Sequence, residues 1–532
     1  MKKESRTEEK KQKPSTVNIL KAFFVSAFGT GVSRVLGAAR DIVIAHFFGA
    51  SKATDAFWIA WTIPSVFRRF VADEGLTGAL IPAIAQEERK YGLPAARRLT
   101  DTIFTILILG LLVFSIFGIL TAPYLVRMFA WGFTRDIEMF ELTVNLTRWL
   151  FPFVAMVSLV SYCEGVLNHR NHFFIPKIAP GLVSAGMIIF VVFLFNNFQP
   201  PIYSLAAGVL AGGIFHLVVQ LPVLVRLWFL PRLRFLFNIP RVKFFLKEMG
   251  KVIVIGIFAQ LNVIVLRLLA SFLTPGSVTH YWNANRIIDL THGMIAIGMA
   301  SALMPALAKS VADEDWQGLR SQLEYSIKVV AFFLFPACGL ILFFNKPIVS
   351  ILFRHGSFTY QDTLVTAATL QLLIPFLLCL AGINIVKKVY FAIDDRNTLL
   401  AVGGFGVLLT ASIGGFFIGR IGVRGLAVAL SISTLIQLLL YYYILKRKLR
   451  DVLRLRQLFF SLLRIFVACI PFSGILIFLS ELGKWELGPS KVNNLLICLS
   501  AFGITVITYL VSAYLLKISE LKIILGRFKK RS

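Results

Sequence analysis

The chain has 532 residues, 57% of them hydrophobic, and its 55 Lys and Arg outnumber its 27 Asp and Glu to leave a net charge of +28. A mean hydropathy of +0.78 excludes an ordinary soluble domain and identifies a polytopic membrane protein. The basic excess falls between apolar segments, so it reads as a topology signal in contact with anionic membrane lipids, with no nucleic-acid partner.

The first 17 residues are polar and lysine-rich, and the segment after them is too long and too charged for a secretory leader, so no cleaved signal is expected. Apolar stretches able to span a bilayer follow near 18–48, 53–85, 99–124, 140–166, 174–196, 203–228 and 250–272. Seven more lie near 278–309, 326–346, 361–388, 398–419, 423–445, 458–480 and 491–516, for about 14 transmembrane helices. Connections after even-numbered spans are basic, as with Arg97-Arg98, Arg232 with Arg234, and Lys446-Arg447-Lys448. Placing those loops and both termini in the cytoplasm satisfies the positive-inside rule, with Arg420 and Arg424 as the exception. The five cysteines sit singly in apolar segments, without disulfide or metal-ligand spacing. No nucleotide-binding or hydrolase motif is present, so neither enzymatic catalysis nor a cofactor is expected.

The chain repeats itself. Ala79-Leu80-Ile81-Pro82-Ala83 returns as Ala302-Leu303-Met304-Pro305-Ala306, and Leu150-Phe151-Pro152-Phe153 as Leu373-Ile374-Pro375-Phe376, both 223 residues on. Pro123 and Gly132 map to Pro347 and Gly356 at 224. An even number of spans separates equivalents, which predicts two pseudo-symmetric six-helix lobes in parallel orientation, with a site at their interface. The expected organisation is a cytoplasmic tail (1–17), an N-lobe (18–228) and a basic linker (229–249). A C-lobe (250–446), an appended helix pair with its basic loop (447–516) and a second tail (517–532) complete this all-α integral membrane fold.

Charges inside the spans are the candidate functional residues. Arg34, Arg40 and Asp41 lie in the first span, where each would cost about 2.5–3.5 kcal/mol facing lipid. Arg34 and Asp41 are separated by about 20° of helix rotation and share a face. Asp55 opens the second span and Arg68 lies toward its far end. In the eighth, Arg286 and Asp289 are spaced for a helical ion pair. These charges do not repeat: at an offset of 224, Asp55 pairs with Thr279, Thr62 with Arg286 and Arg68 with His292. Shared scaffold with unshared charge suits an asymmetric ligand. Arginine forks bind phosphate oxygens two at a time, so the excess of Arg34, Arg40, Arg68 and Arg286 favours an anion such as a pyrophosphate. The appended pair, with Phe459, Phe460, Phe466 and Phe472, offers a groove for a lipid chain.

Ser33-Arg34-Val35-Leu36-Gly37 with Arg40-Asp41, then Phe48-Gly49-Ala50, Thr54-Asp55-Ala56-Phe57 and Arg68-Arg69, resemble the N-terminal signature of the MurJ/MviN lipid II flippases. The resemblance continues through Gly276-Ser277-Val278 and Asn285-Arg286 to the end of the chain. It implies the fold of the multidrug/oligosaccharidyl-lipid/polysaccharide exporter superfamily, MATE-like with two extra helices. It also implies transport of the undecaprenyl-pyrophosphate-linked peptidoglycan precursor across the bacterial inner membrane by alternating access, with other cell-wall synthesis proteins as candidate partners. The neighbouring alternatives are a flippase for another polyprenyl-linked glycan and, more remotely, a membrane-embedded glycan polymerase. By the resemblance, Arg34, Arg40, Arg68 and Arg286 match the family's essential arginines and Asp55 its aspartate, with Ser33, Asp41 and Thr279 beside them. Two positions depart: many members carry Asp where this chain has Asn285 and Glu where it has Asp289, and Asp73-Glu74-Gly75 follows the double arginine in place of Glu-Gly. The first departure puts an ion-coupling role beside Arg286 in doubt. Membrane potential or an ion, not identified by the residues, is left as the energy source.

Overall fold

The computed structural model describes residues 16–69, 76–170, 172, 174–235, 240–449, 455–490 and 492–521. Most of the N-terminal tail, Asp73-Glu74-Gly75 and the basic run Arg527 to Arg531 lie outside the described residues. Within them the chain is all helix. The first half comprises α1 (Thr16–Phe48), α2 (Lys52–Arg68), α3 (Thr77–Tyr91), α4 (Leu93–Ala130), α5 (Ile137–Leu150) and α6 (Pro152–His169). It continues with α7 (Phe174–Ile178), α8 (Gly181–Leu194), α9 (Tyr203–Val218) and α10 (Leu221–Arg226). The second half comprises α11 (Pro240–Ala270), α12 (Ser277–Ala312), α13 (Trp316–Phe343), α14 (Asn345–Phe353), α15 (Tyr360–Leu372) and α16 (Ile374–Ala392). Then come α17 (Arg396–Ile421), α18 (Val423–Lys448), α19 (Leu455–Ala468), α20 (Ile470–Leu482) and α21 (Val492–Leu515).

Among the described residues, nine helices are long and apolar enough to cross a membrane, with shorter apolar helices beside them. The charge-bearing α1, α2 and α12 are not among the nine. Several stretches expected as single spans are broken, and proline is the cause. Pro152, Pro222, Pro375 and Pro471 each stand in the first turn of a new helix, α6, α10, α16 and α20. Proline donates no N–H, so it starts a helix well and interrupts one in progress. Two of these breaks, at Pro152 and Pro375, are the repeat landmark, which identifies that motif as a shared helix joint. Pro240 opens α11, so the second half of the basic linker expected over 229–249 is helical.

The chain divides into two compact units. The first contains Met1–Arg40, Phe67–Phe117 and Leu150–Ile253. Its core gathers Leu80, Leu99, Tyr162, Val166, Phe229 and Phe245, and the Tyr162 hydroxyl donates to the Thr100 carbonyl at 3.1 Å. Gly208 and Gly212 let α9 lie directly on α8, since a β-carbon at Gly212 would stand 2.6 Å from Val183 Cα; small residues four apart are the usual device for close helix approach in lipid. Beyond the apolar part of α3, Glu88 accepts from His169 Nε2 at 2.8 Å and from Arg170 at 3.1 Å.

The second unit contains Asp41–Val66, Gly118–Trp149 and Val254–Ser532. The appended helices are not loosely attached. Phe332 and Phe344 share a core with Ile465, Phe472, Leu476, Trp485 and Tyr509, the Tyr509 hydroxyl donates to the Phe332 carbonyl at 2.7 Å, and Ser350 donates to the Trp485 carbonyl at 2.6 Å. Phe472 is therefore removed from the expected lipid groove: it is 0% exposed, whereas Phe459, Phe460 and Phe466 are at least half exposed.

Phe472→Ala should destabilise the detergent-purified protein by about 3–5 kcal/mol, the usual cost of a buried phenylalanine, while Phe466→Ala has little effect. Thermal unfolding of the two variants checks this.

Burial pushes the Glu88 carboxyl upward, but the His169 hydrogen bond and the Arg170 charge prevail and hold it below its ordinary value of 4.5. The sign follows: this contribution to stability is complete above that value and is lost as the pH falls through the lowered one. Glu88→Gln should lower thermal stability at neutral pH and flatten its decline in acid.

Candidate functional site

The repeat becomes physical where α2 meets the first turn of α12. The first four N–H groups of a helix have no partner within it, and a carboxylate is their natural acceptor. Asp55, 1% exposed, supplies that acceptor from another helix. Its Oδ2 accepts from Gly276 N at 2.7 Å and its Oδ1 from Thr279 N and Oγ1 at 2.8 and 2.6 Å. Asp55 and Thr279 are repeat equivalents, 224 residues apart. One turn on, the next equivalents also touch: Trp58 and Trp282 stack with ring centroids 4.0 Å apart and an interplanar angle of 16°. Contact between equivalents puts an axis of pseudo-symmetry between α2 and α12. A reciprocal exchange agrees with this. A β-carbon at Gly132 would lie 2.3 Å from the Ser271 carbonyl, and one at its equivalent, Gly356, 2.3 Å from the His46 carbonyl. The Ser271 hydroxyl accepts from Gly132 N at 2.9 Å, and Ser357 N donates to the His46 carbonyl at 2.9 Å.

The charges break the symmetry. Arg286 Nε stands 2.8 Å from Asp41 Oδ2, an ion pair off the hydrogen-bond line. The Asp41 side chain is 1% exposed, and that of Arg286 keeps 26%. Desolvating an unpaired carboxylate would be costly, so Asp41 anchors the guanidinium while leaving part of it open. The expected Arg286–Asp289 pair does not form; Asp289 instead accepts from Asn285 Nδ2 at 2.9 Å. Asn285 thus acts as a donor that engages Asp289 along the helix. Arg267 is buried and lies 4.8 Å over the Trp282 ring, a cation–π stack, while the residue 224 positions earlier is the uncharged Val43. His280 bridges α12 to α15, with Nδ1 3.0 Å from Thr366 Oγ1 and Nε2 3.5 Å from Asp362 Oδ1.

The other predicted residues belong to the first unit. Arg40 is buried in α1; Arg34 and Ser33 are half-buried about two turns earlier, and Arg68 is half-buried at the end of α2. Ser33 packs beneath α8, since a β-carbon at Gly181 would approach its Cα to 3.4 Å. The second unit thus brings together Asp41 with Arg286, Asp55 with Thr279, and Asn285 with Asp289. Sequence reasoning passed over the Trp58–Trp282 stack and Arg267's place on it. A signal existed: tryptophan, with only 8 in the chain, recurs at the repeat offset. No cluster of three metal-binding side chains occurs among the described residues, and the described cysteines are free.

The family model described as "Lipid II flippase MurJ" matches residues 44–514. The chain belongs to this family. It is 30% identical over 524 residues to the probable lipid II flippase MurJ of Buchnera aphidicola subsp. Schizaphis graminum, covering 97% of this chain and 100% of that one. To the lipid II flippase MurJ of Burkholderia cenocepacia it is 30% identical over 441 residues, 81% of this chain and 84% of the relative. Among solved structures it resembles a lipid II flippase MurJ in an inward closed conformation, with a TM-score of 0.77, 22% identity, and coverage of 92% and 98%. An inward-facing MATE-family multidrug transporter follows at 0.59, with 16% identity over 78% of this chain and 98% of that one. The all-α membrane fold of MurJ and MATE transporters is therefore the fold of this chain, and its family is one of multi-pass membrane transporters.

Asp55→Ala should leave the Gly276 and Thr279 amides buried without an acceptor, at about 1–3 kcal/mol each. Hydrogen exchange over 274–280 should then accelerate strongly, and less in Asp55→Asn, which keeps one acceptor oxygen.

Proposed function

We propose that this protein is a flippase that moves lipid II, the undecaprenyl-pyrophosphate-linked peptidoglycan precursor, from the cytoplasmic to the outer leaflet of the bacterial inner membrane. The observation that carries the reading is Arg286. It is a partly exposed guanidinium in a helix of a MurJ-family chain, fixed by a buried aspartate and free of other described partners. A pyrophosphate needs such a group: planar, permanently charged and able to donate two parallel hydrogen bonds. Arg34, Arg40 and Arg68 supply further positive charge for the same head group, with Ser33, Asp41, Asp55, Thr279, Asn285 and Asp289 as the polar groups that hold or flank the arginines.

The transport cycle is alternating access, and the protein does no covalent chemistry on its cargo. Both termini are cytoplasmic, in keeping with the basic loops. The exposed phenylalanines of α19, Phe459, Phe460 and Phe466, are available to the polyprenyl chain. Membrane potential is a sufficient source of bias, because each charge carried across it is worth about 2.3 kcal/mol per 100 mV. No cofactor is required for this, and the peptide composition of the cargo is set by groups beyond the pyrophosphate.

Arg286→Ala, Arg34→Ala and Arg40→Ala should each insert normally yet fail to sustain a flippase-depleted bacterium. Arg286→Lys should restore only part of the activity, since a point charge lacks the bidentate fork. Lipid II sidedness in those cells is the measurement; unchanged translocation by all the alanine variants would overturn the reading.

A further inference from the structure

A second arginine cluster lies far from Arg286 in the sequence, within the first unit. The beginning of α4 and the end of α10 flank a cavity of about 810 Å³, into which Arg97, Arg98, Arg226, Arg232 and Arg234 all project part of their surface. One carboxylate, Asp101, lines it with them. That carboxylate is already engaged: Oδ1 accepts from Arg232 N at 3.1 Å, and Oδ2 is 3.9 Å from Arg234 Nε. Arg234 N donates to Thr105 Oγ1 at 2.7 Å. Two hydrogen bonds to α4 thus pin the loop after α10 and hold its arginines around the cavity. Arg97 is stacked 5.5 Å over the Phe229 ring, and its buried Nε has no hydrogen-bond partner. The side chains of Arg98 and Arg226 are exposed and make no hydrogen bond or ion pair among the described residues. Like charges gathered around one neutralised carboxylate lack an anion.

The depth of the cavity says which anion. It lies where the membrane-spanning segments Leu93–Arg135 and Tyr203–Arg226 begin and end, the level of lipid head groups. Trp228 marks that level. It has a left-handed backbone, φ +58°, in the turn that ends α10, a position that normally takes glycine. A bulky residue there is a true outlier, and such strain persists where it serves a purpose. Here it turns Phe229 inward to 4% exposure and Trp228 outward to 76%, and exposed tryptophan is the side chain that settles at a membrane–water interface. We propose that this cavity is a binding site for the phosphate head group of an anionic phospholipid, with Arg98 and Arg226 contacting the phosphate and Trp228 seated at the acyl boundary. The inference needs the membrane placement of the spans and not the identity of the cargo.

The test is native mass spectrometry of the full-length protein in detergent, with phosphatidylglycerol, phosphatidylcholine or inorganic phosphate as the probe. Phosphatidylglycerol should be retained in preference to phosphatidylcholine. Arg98→Gln with Arg226→Gln should weaken that retention by roughly tenfold or more. Arg148→Gln with Arg396→Gln, an equal loss of charge at exposed sites elsewhere, should not. Trp228→Gly, which relieves the backbone, should keep or raise thermal stability and still weaken retention. Equal retention of the two lipids, equal weakening by the control pair, or occupation by inorganic phosphate that excludes the lipid would each overturn the proposal. Lipid II is absent from the experiment, so its failure leaves the flippase reading intact.

Discussion

A buried carboxylate that accepts the first amides of a helix it does not belong to is the contact on which the second unit turns. Asp55 is on α2, and its acceptor oxygens are spent on Gly276 and Thr279 of α12. In an apolar surrounding, neither partner has water to fall back on. Leaving the carboxylate without donors, or the amides without an acceptor, costs far more than it would at a soluble surface. The contact therefore holds the ends of two helices in register, and the Trp58–Trp282 stack one turn on continues the same seam.

That seam also explains how a duplicated scaffold can bind something that is not symmetric. Near the axis the equivalents touch each other: Asp55 with Thr279, Trp58 with Trp282. Farther along the same helices the equivalence is broken, with Thr62 at the position equivalent to Arg286, and Arg267 on α11 has Val43 as its equivalent. The shared residues carry the packing, and the unshared ones carry the charge. Asp41 shows the energetic consequence. A guanidinium inside a bundle needs an anion, and a fully buried aspartate supplies one without covering it.

The other arginines serve a different purpose. Arg97, Arg98, Arg226, Arg232 and Arg234 stand at helix ends, where the same side chain is inexpensive, so their number alone says little. What sets them apart is arrangement: a loop pinned by Asp101 and Thr105, a tryptophan in a glycine's conformation, and two guanidinium groups without partners. A basic loop is a topology signal in any membrane protein. A basic loop held in one shape around a cavity is a recognition element.

Much was legible in the residues themselves. Apolar stretches of spanning length, the alternation of basic loops, the repeat at 223–224 and the isolated charges of α1, α2 and α12 are one-dimensional quantities, because the bilayer prices each segment largely by its own composition. The motif from Ser33 to Arg69 carried the family in the same way. What the order of residues could not decide was partnership. Spacing favoured Asp289 for Arg286, yet Asp41 is the partner, because a contact across helices at 2.8 Å outcompetes a neighbour along one. Phe472 and Phe466 are alike in the sequence and opposite in burial, since rotation about a helix broken at Pro471 depends on what α13 and α21 present to it. Whether a charge is a site or a strut is decided by the side chains that surround it, and those arrive from segments more than two hundred residues away.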